Sequence, residues 1–110
     1  MSKNVSPPKL TVIVRGDLTT GAKVSQAVHA AHEYADQHPR LYAQWRLESN
    51  TVAALVAQDE AHLVRLTEMA GAFDIPHAIF REIDMGDSQT VLVLAPHPAT
   101  RKLTAGLPLL

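Results

Sequence analysis

Near the end of the chain two apolar runs, His77–Ile83 and Gln89–Ala95, are separated by little more than the turn-forming stretch Asp84-Met85-Gly86-Asp87. A link that short can only reverse the chain, because parallel neighbours need a crossover of a dozen or more residues. These two strands are therefore antiparallel. Earlier links are long enough for crossovers: Lys9–Arg15 and Thr51–Ala57 are β-branched, apolar strand patterns, and the segments between and after them have helical spacing. Gly21 opens a helix that runs to about Gln37, with Val24, Ala27, Val28, Ala31, Tyr34 and Ala35 as its apolar stripe. His38-Pro39 breaks it, and Leu41–Leu47 forms a second, short helix. Asp59 is a good N-cap for a third helix, whose apolar face carries Leu63, Leu66, Met69, Ala70 and Phe73 before Gly71 and Pro76 close it. Pro96 and Pro98 stop the last strand, and a short helix covers Ala99–Leu103. The order strand–helix–helix–strand–helix–strand–strand–helix predicts a small single α/β domain, a mixed four-stranded sheet flanked by helices on both faces.

At 110 residues the chain can build one hydrophobic core. The polar, Pro-containing stretch 1–8 reads as a disordered lead-in, which puts the folded domain at 9–110. No apolar run approaches the roughly 18 residues of a membrane span, and the start lacks the apolar region of a signal peptide. The absence of cysteine excludes disulfide and thiolate chemistry and fits a cytoplasmic protein. A net charge of −1 argues against a broad phosphate-tracking surface but leaves room for contact with one nucleic-acid end.

Candidate chemistry gathers at the first helix. Gln26, His29 and Glu33 fall at i, i+3 and i+7, so one helical face presents all three. Glu33 could orient the imidazole or raise its pKa; the alternative is an ordinary surface pair. Asp17, on the loop before the helix, could converge with His29 or serve as a turn carboxylate. Gly21 and Lys23 lie where a helix N-terminus could meet a single phosphate, although no phosphate-loop or dinucleotide fingerprint is present. His29 and His32 lack the spacing of a zinc motif, so no metal site is expected. Glu82, at a strand end beside a turn, is a candidate acid/base residue or a solvated carboxylate, and Ser88 and Thr90 could line the same rim.

Several stretches together resemble the second (archaeal and eukaryotic-type) peptidyl-tRNA hydrolase family. They are Val-Ile-Val-Arg15-Gly16-Asp17-Leu18, Gln26-Ala27-Val28-His29-Ala30-Ala31, Ile75-Pro76-His77-Ala78, Val91-Leu92-Val93-Leu94-Ala95-Pro96 and the terminal Leu-Pro-Leu-Leu. The resemblance implies a homodimer that hydrolyses the ester between a peptide and the tRNA 3′ end without metal or cofactor. By position, Asp17, Gln26 and His29 match motif residues, Glu82 stands where the family has an Asp, and Thr90 matches a family Thr. The loop before the helix is shortened to Thr19-Thr20-Gly21-Ala22, and Ala22 takes the place of a lysine, with Lys23 one residue along. A single residue is about 100° of helix rotation. The later loop is reduced to Asp84–Ser88, and these departures resemble the divergent peptidyl-tRNA hydrolase domain-containing branch. The expected assignments are His29, Asp17, Glu82 and Lys23 as catalytic and Gln26, Gly21, Ser88 and Thr90 as substrate-binding. An RNA- or protein-binding module that has lost the chemistry is the alternative.

Overall fold

The computed structural model describes residues 7–110, so most of the expected lead-in lies outside the described residues. The two β-branched runs become adjacent strands β1 (Lys9–Arg15) and β2 (Thr51–Ala57). Between them lie helices α1 (Thr20–Gln37) and α2 (Pro39–Glu48). After β2 come α3 (Glu60–Ala72), β3 (His77–Glu82), β4 (Ser88–Leu94) and α4 (Thr100–Thr104). The sheet order is β2-β1-β4-β3. β1 and β2 are parallel, as their helical crossover allows, while β4 runs antiparallel to both of its neighbours. The expected mixed four-stranded sheet is the one that forms.

Strand alternation divides the core into two layers. Leu10, Val12 and Val14 of β1, with Val91 and Val93 of β4, pack under α1 and α2 against Tyr34 and Trp45. Ile13, Leu92 and Leu94 face the other way, against Leu63, Leu66 and Ala70 of α3 and Leu103 of α4. Asp59 caps α3 as expected, its carboxylate accepting from the His62 N–H at 2.9 Å. Gly71 does not end that helix; Asp74 takes the left-handed conformation beyond it. Ile83, expected to extend β3, instead begins a 3-10 turn over Ile83–Met85, which Gly86 closes at φ 70°.

The apolar stripe of α1 is rotated from its expected position. The buried residues are Gln26, Ala30 and Tyr34, whereas Val24 and Val28 are 59% and 50% exposed. Ala contributes little burial energy to either face of this Ala-rich helix. The rotation is set instead by the aromatic anchor Tyr34 and by the polar partners that Gln26 finds in the sheet. Burial in that layer pushes the Tyr34 hydroxyl up to about 12.

Two backbone details fix the ends of the sheet. The Gly16 N–H donates to the Ala57 carbonyl at 2.7 Å, and a Cβ at Gly16 would stand 2.7 Å from Val56 Cγ1 and 3.2 Å from the Ala57 oxygen. At the outer edge of β2, the Val56 N–H donates to Pro108 O and the Leu110 N–H to Ala54 O. The C-terminal tail thus covers backbone groups that an edge strand would otherwise expose.

Candidate functional site

β1 and β3 end, and β4 and α1 begin, at one edge of the sheet. Which side chains meet there depends on a β-bulge. Alternation from Leu94 and Leu92 would send Thr90 toward α3. The register slips, however: Phe80 pairs with Val91 while Arg81 pairs with Gln89, leaving Thr90 as the extra residue. A bulge re-aims side chains locally. Here Gln89 turns to α3, donating to Thr67 Oγ1 at 2.7 Å, and Thr90 turns to α1, where its hydroxyl donates to Gln26 Oε1 at 2.7 Å.

That second bond fixes the Gln26 amide. With Oε1 occupied by Thr90, Nε2 faces Glu82 and donates to its Oε1 at 2.9 Å. Gln26 and Thr90 are 3% and 0% exposed. The rim position expected of Thr90 is therefore incorrect; both residues lie behind Glu82 and hold it. Phe80 and Glu82 share one face of β3 and sit below Gln26 and His29, one turn apart on α1. His29 lies exposed, stacked on Phe80 with ring centroids 5.0 Å apart and planes at 17°.

The Gln26 hydrogen bond holds the Glu82 carboxyl below the usual carboxylate range. Burial opposes this, while backbone N–H groups of Asp84 and Ile83 and the nearby His29 assist it. At neutral pH Glu82 is thus a carboxylate, suited to accepting or orienting a proton rather than donating one.

On the α3 side, Arg15 grips Asp17 through two bonds, Nε to Oδ1 at 3.0 Å and Nη2 to Oδ2 at 2.9 Å. Arg15 Nη1 also donates to Ser88 Oγ at 3.0 Å, and that hydroxyl donates to Met85 O at 2.8 Å. Asp17 is therefore engaged by Arg15, not by His29. Its carboxyl is held low by this pair, with a smaller contribution from Lys23. Glu33, a possible partner for His29, instead accepts from Gln37 at 2.9 Å. Gly21 stands exposed in the first turn of α1, and a Cβ there would meet nothing within 4 Å. Thr19 caps that turn through Ala22 N, leaving the Thr20 and Gly21 N–H groups outside the intrahelical ladder.

Three contributors escaped the sequence reading. Arg15 was legible in principle, as a cation two residues before an Asp at a strand end. Phe80 shares the face of Glu82 by strand periodicity. Glu60, which accepts from the Gln89 N–H at 2.7 Å and steadies the start of β4, carries no sequence signal. Among the described residues no group of three metal-ligating side chains occurs, and no helix is long and apolar enough to cross a membrane.

Both depressed carboxyls, Glu82 and Asp17, bind protons more weakly folded than unfolded. Their stabilisation is complete above their ordinary values of 4.5 and 3.8, and is lost as the pH falls through the lower folded values. Melting temperature is expected to fall on acidification below about pH 4.5, and Gln26→Leu should shrink the Glu82 part of that slope. An unchanged slope in the variant would show that Gln26 does not hold Glu82.

Comparison with known proteins agrees with this architecture. A solved structure of a protein of unknown function, Atu0240 from Agrobacterium tumefaciens str. C58, is similar in fold. Its TM-score is 0.71 at 16% identity, over 96% of this chain and 99% of that one. No curated protein matches the chain in sequence. The family model for peptidyl-tRNA hydrolase PTH2 matches residues 8–110, nearly the whole chain, and the protein belongs to that hydrolase family.

Proposed function

We propose that the chain hydrolyses the ester joining a peptide, or an N-blocked amino acid, to the 3′ end of tRNA. The observation that carries this reading is the Thr90–Gln26–Glu82 relay, which fixes a carboxylate beside an exposed imidazole stacked on Phe80. His29 takes a proton from water as the water oxygen attacks the ester carbonyl, and Glu82 stabilises the imidazolium that forms. Lys23, a long cationic side chain on the N-terminal side of His29, steadies the tetrahedral oxyanion. Collapse expels the ribose 3′ oxygen, which takes the proton back from His29. Ser88 and the Arg15–Asp17 pair shape the rim that receives the RNA end.

N-acylated aminoacyl-tRNA is the test substrate. His29→Ala is expected to lower cleavage by about 10²–10⁴-fold, the usual contribution of a general base. Wild-type turnover no faster than the variant would sink the proposal. The second reading, a binding module without turnover, is favoured by Ala22 at the position of the family lysine and by the net charge of −1. RNA binding with no cleavage above the His29→Ala background would establish it instead.

The same reading includes a homodimer. The rotation of α1 leaves a groove of about 240 Å³ beside β2, with Val28 and Ala31 on one wall and Val52, Ala54 and Leu110 on the other. Val28 and Val52 are at least half exposed, and a second copy is the occupant that hides an apolar face without adding charge. Light scattering on the wild-type chain is expected to give twice the chain mass, and Val28→Glu the monomer. A wild-type monomer at high micromolar concentration excludes this interface.

A further inference from the structure

At the opposite end of β1, roughly 20 Å from the site at the usual strand rise, a groove of about 430 Å³ opens between α4 and the sheet. That volume falls within the range of small-molecule sites. Its sheet wall is Lys9, Thr11, Ala53 and Leu55. Its α4 wall is His97, Thr100, Arg101 and Thr104, with Leu109 at one side. Three features set it apart from the rest of the surface.

The first is charge. Asp and Glu outnumber Lys and Arg in the chain by 11 to 10, yet Lys9, Arg101 and His97 line this groove and no carboxylate does. Among the described residues the ion pair formed is Arg15–Asp17, at the far end of the sheet. Lys9 and Arg101 thus create a local positive field, with no carboxylate side chain among the lining residues. The second is proton placement. His97 Nδ1 accepts from the Ala99 N–H at 3.0 Å, so the neutral ring carries its proton on Nε2 and has a donor left for a ligand. The third is amphipathicity. Thr104 Oγ1 donates to Thr100 O at 2.9 Å and Thr100 Oγ1 to Ala95 O at 3.3 Å, so each hydroxyl retains lone pairs able to accept from a sugar hydroxyl. Ala53, Leu55 and Leu109 add apolar surface for a planar body.

From these features we infer that the groove binds a small organic phosphate of nucleoside-monophosphate size. The phosphate lies on Lys9 and Arg101, within reach of His97, and the base lies on the apolar wall. This binding uses no residue of the His29 site and stands apart from the hydrolase reading.

The test is a titration of the isotope-labelled full chain with AMP, followed by amide shifts, with inorganic phosphate and adenosine as comparators. AMP is expected to move the amides of Ala53, Leu55 and Thr100 and to bind at least about tenfold more tightly than either half alone, because both walls contribute. The pair Lys9→Gln and Arg101→Gln, both exposed positions, should weaken AMP by about tenfold or more while leaving the remaining spectrum and ester cleavage unchanged. His29→Ala should not alter AMP binding. Shifts confined to the α1 start, affinity insensitive to the Lys9 and Arg101 substitutions, or no saturation below about 10 mM would each overturn the assignment.

Discussion

Gln26→Leu is expected to lower the rate constant for ester cleavage by about 10²-fold while leaving KM close to wild type. The split follows from burial. Gln26 is 3% exposed and hydrogen-bonded to Glu82, so in the proposed mechanism it serves as a positioning residue that acts through Glu82. Leucine has similar volume but no amide, and the Thr90 hydroxyl would be left with the Phe80 carbonyl at 3.3 Å. Glu82 would lose the largest contribution to its depressed pKa, so the low-pH limb that Glu82 itself contributes to the pH–rate profile should move to higher pH. A purely structural role would lower stability, by about 1–3 kcal/mol for a broken buried hydrogen bond, without moving that limb. A rate within threefold of wild type, with an unmoved profile, would remove Gln26 from the mechanism.

Gly16→Ala is expected to destabilise the fold by about 1–3 kcal/mol, an overpacking effect. The added methyl would meet Val56 Cγ1 at 2.7 Å, and Val56 is β-branched and held by the pairing of β2 with β1, so it has few rotamers with which to turn away. The backbone oxygen of Ala57 on the other side, at 3.2 Å, blocks the opposite displacement. Gly21→Ala is the control: it lies in the first turn of α1 with open space around it, and should be neutral or slightly stabilising. Urea midpoints of the two variants compare the sites directly. Equal midpoints would mean that the β1–β2 ends yield at little energetic expense.

The elements were largely legible in the sequence because their signals are local. Lys9–Arg15 and Thr51–Ala57 are β-branched strands, Asp59 is an N-cap, and the short link after β3 demands a reversal. The face of α1 was not legible. Its Val24 and Val28 read as core by hydrophobicity, yet Gln26 is the residue turned inward, because partners from β3 and β4 satisfy its amide. Such satisfaction is a long-range fact that periodicity does not encode. The pairing of Asp17 with Arg15 rather than His29 is, by contrast, local. The bidentate guanidinium at the end of β1, two residues before Asp17, captures the carboxylate before it can reach the helix face that carries His29.

The bulge at Thr90 separates two kinds of sequence change in the β3–β4 hairpin. Residues added or lost within the tip, between Glu82 and Ser88, lengthen or shorten a loop but leave the Phe80–Val91 pairing and the direction of Thr90 as they are. Deleting a single residue inside β4 restores regular pairing and swaps the two faces of the strand from that point to the tip. Loop length can therefore drift among relatives while the polar relay persists, whereas strand length at this place is fixed to the residue.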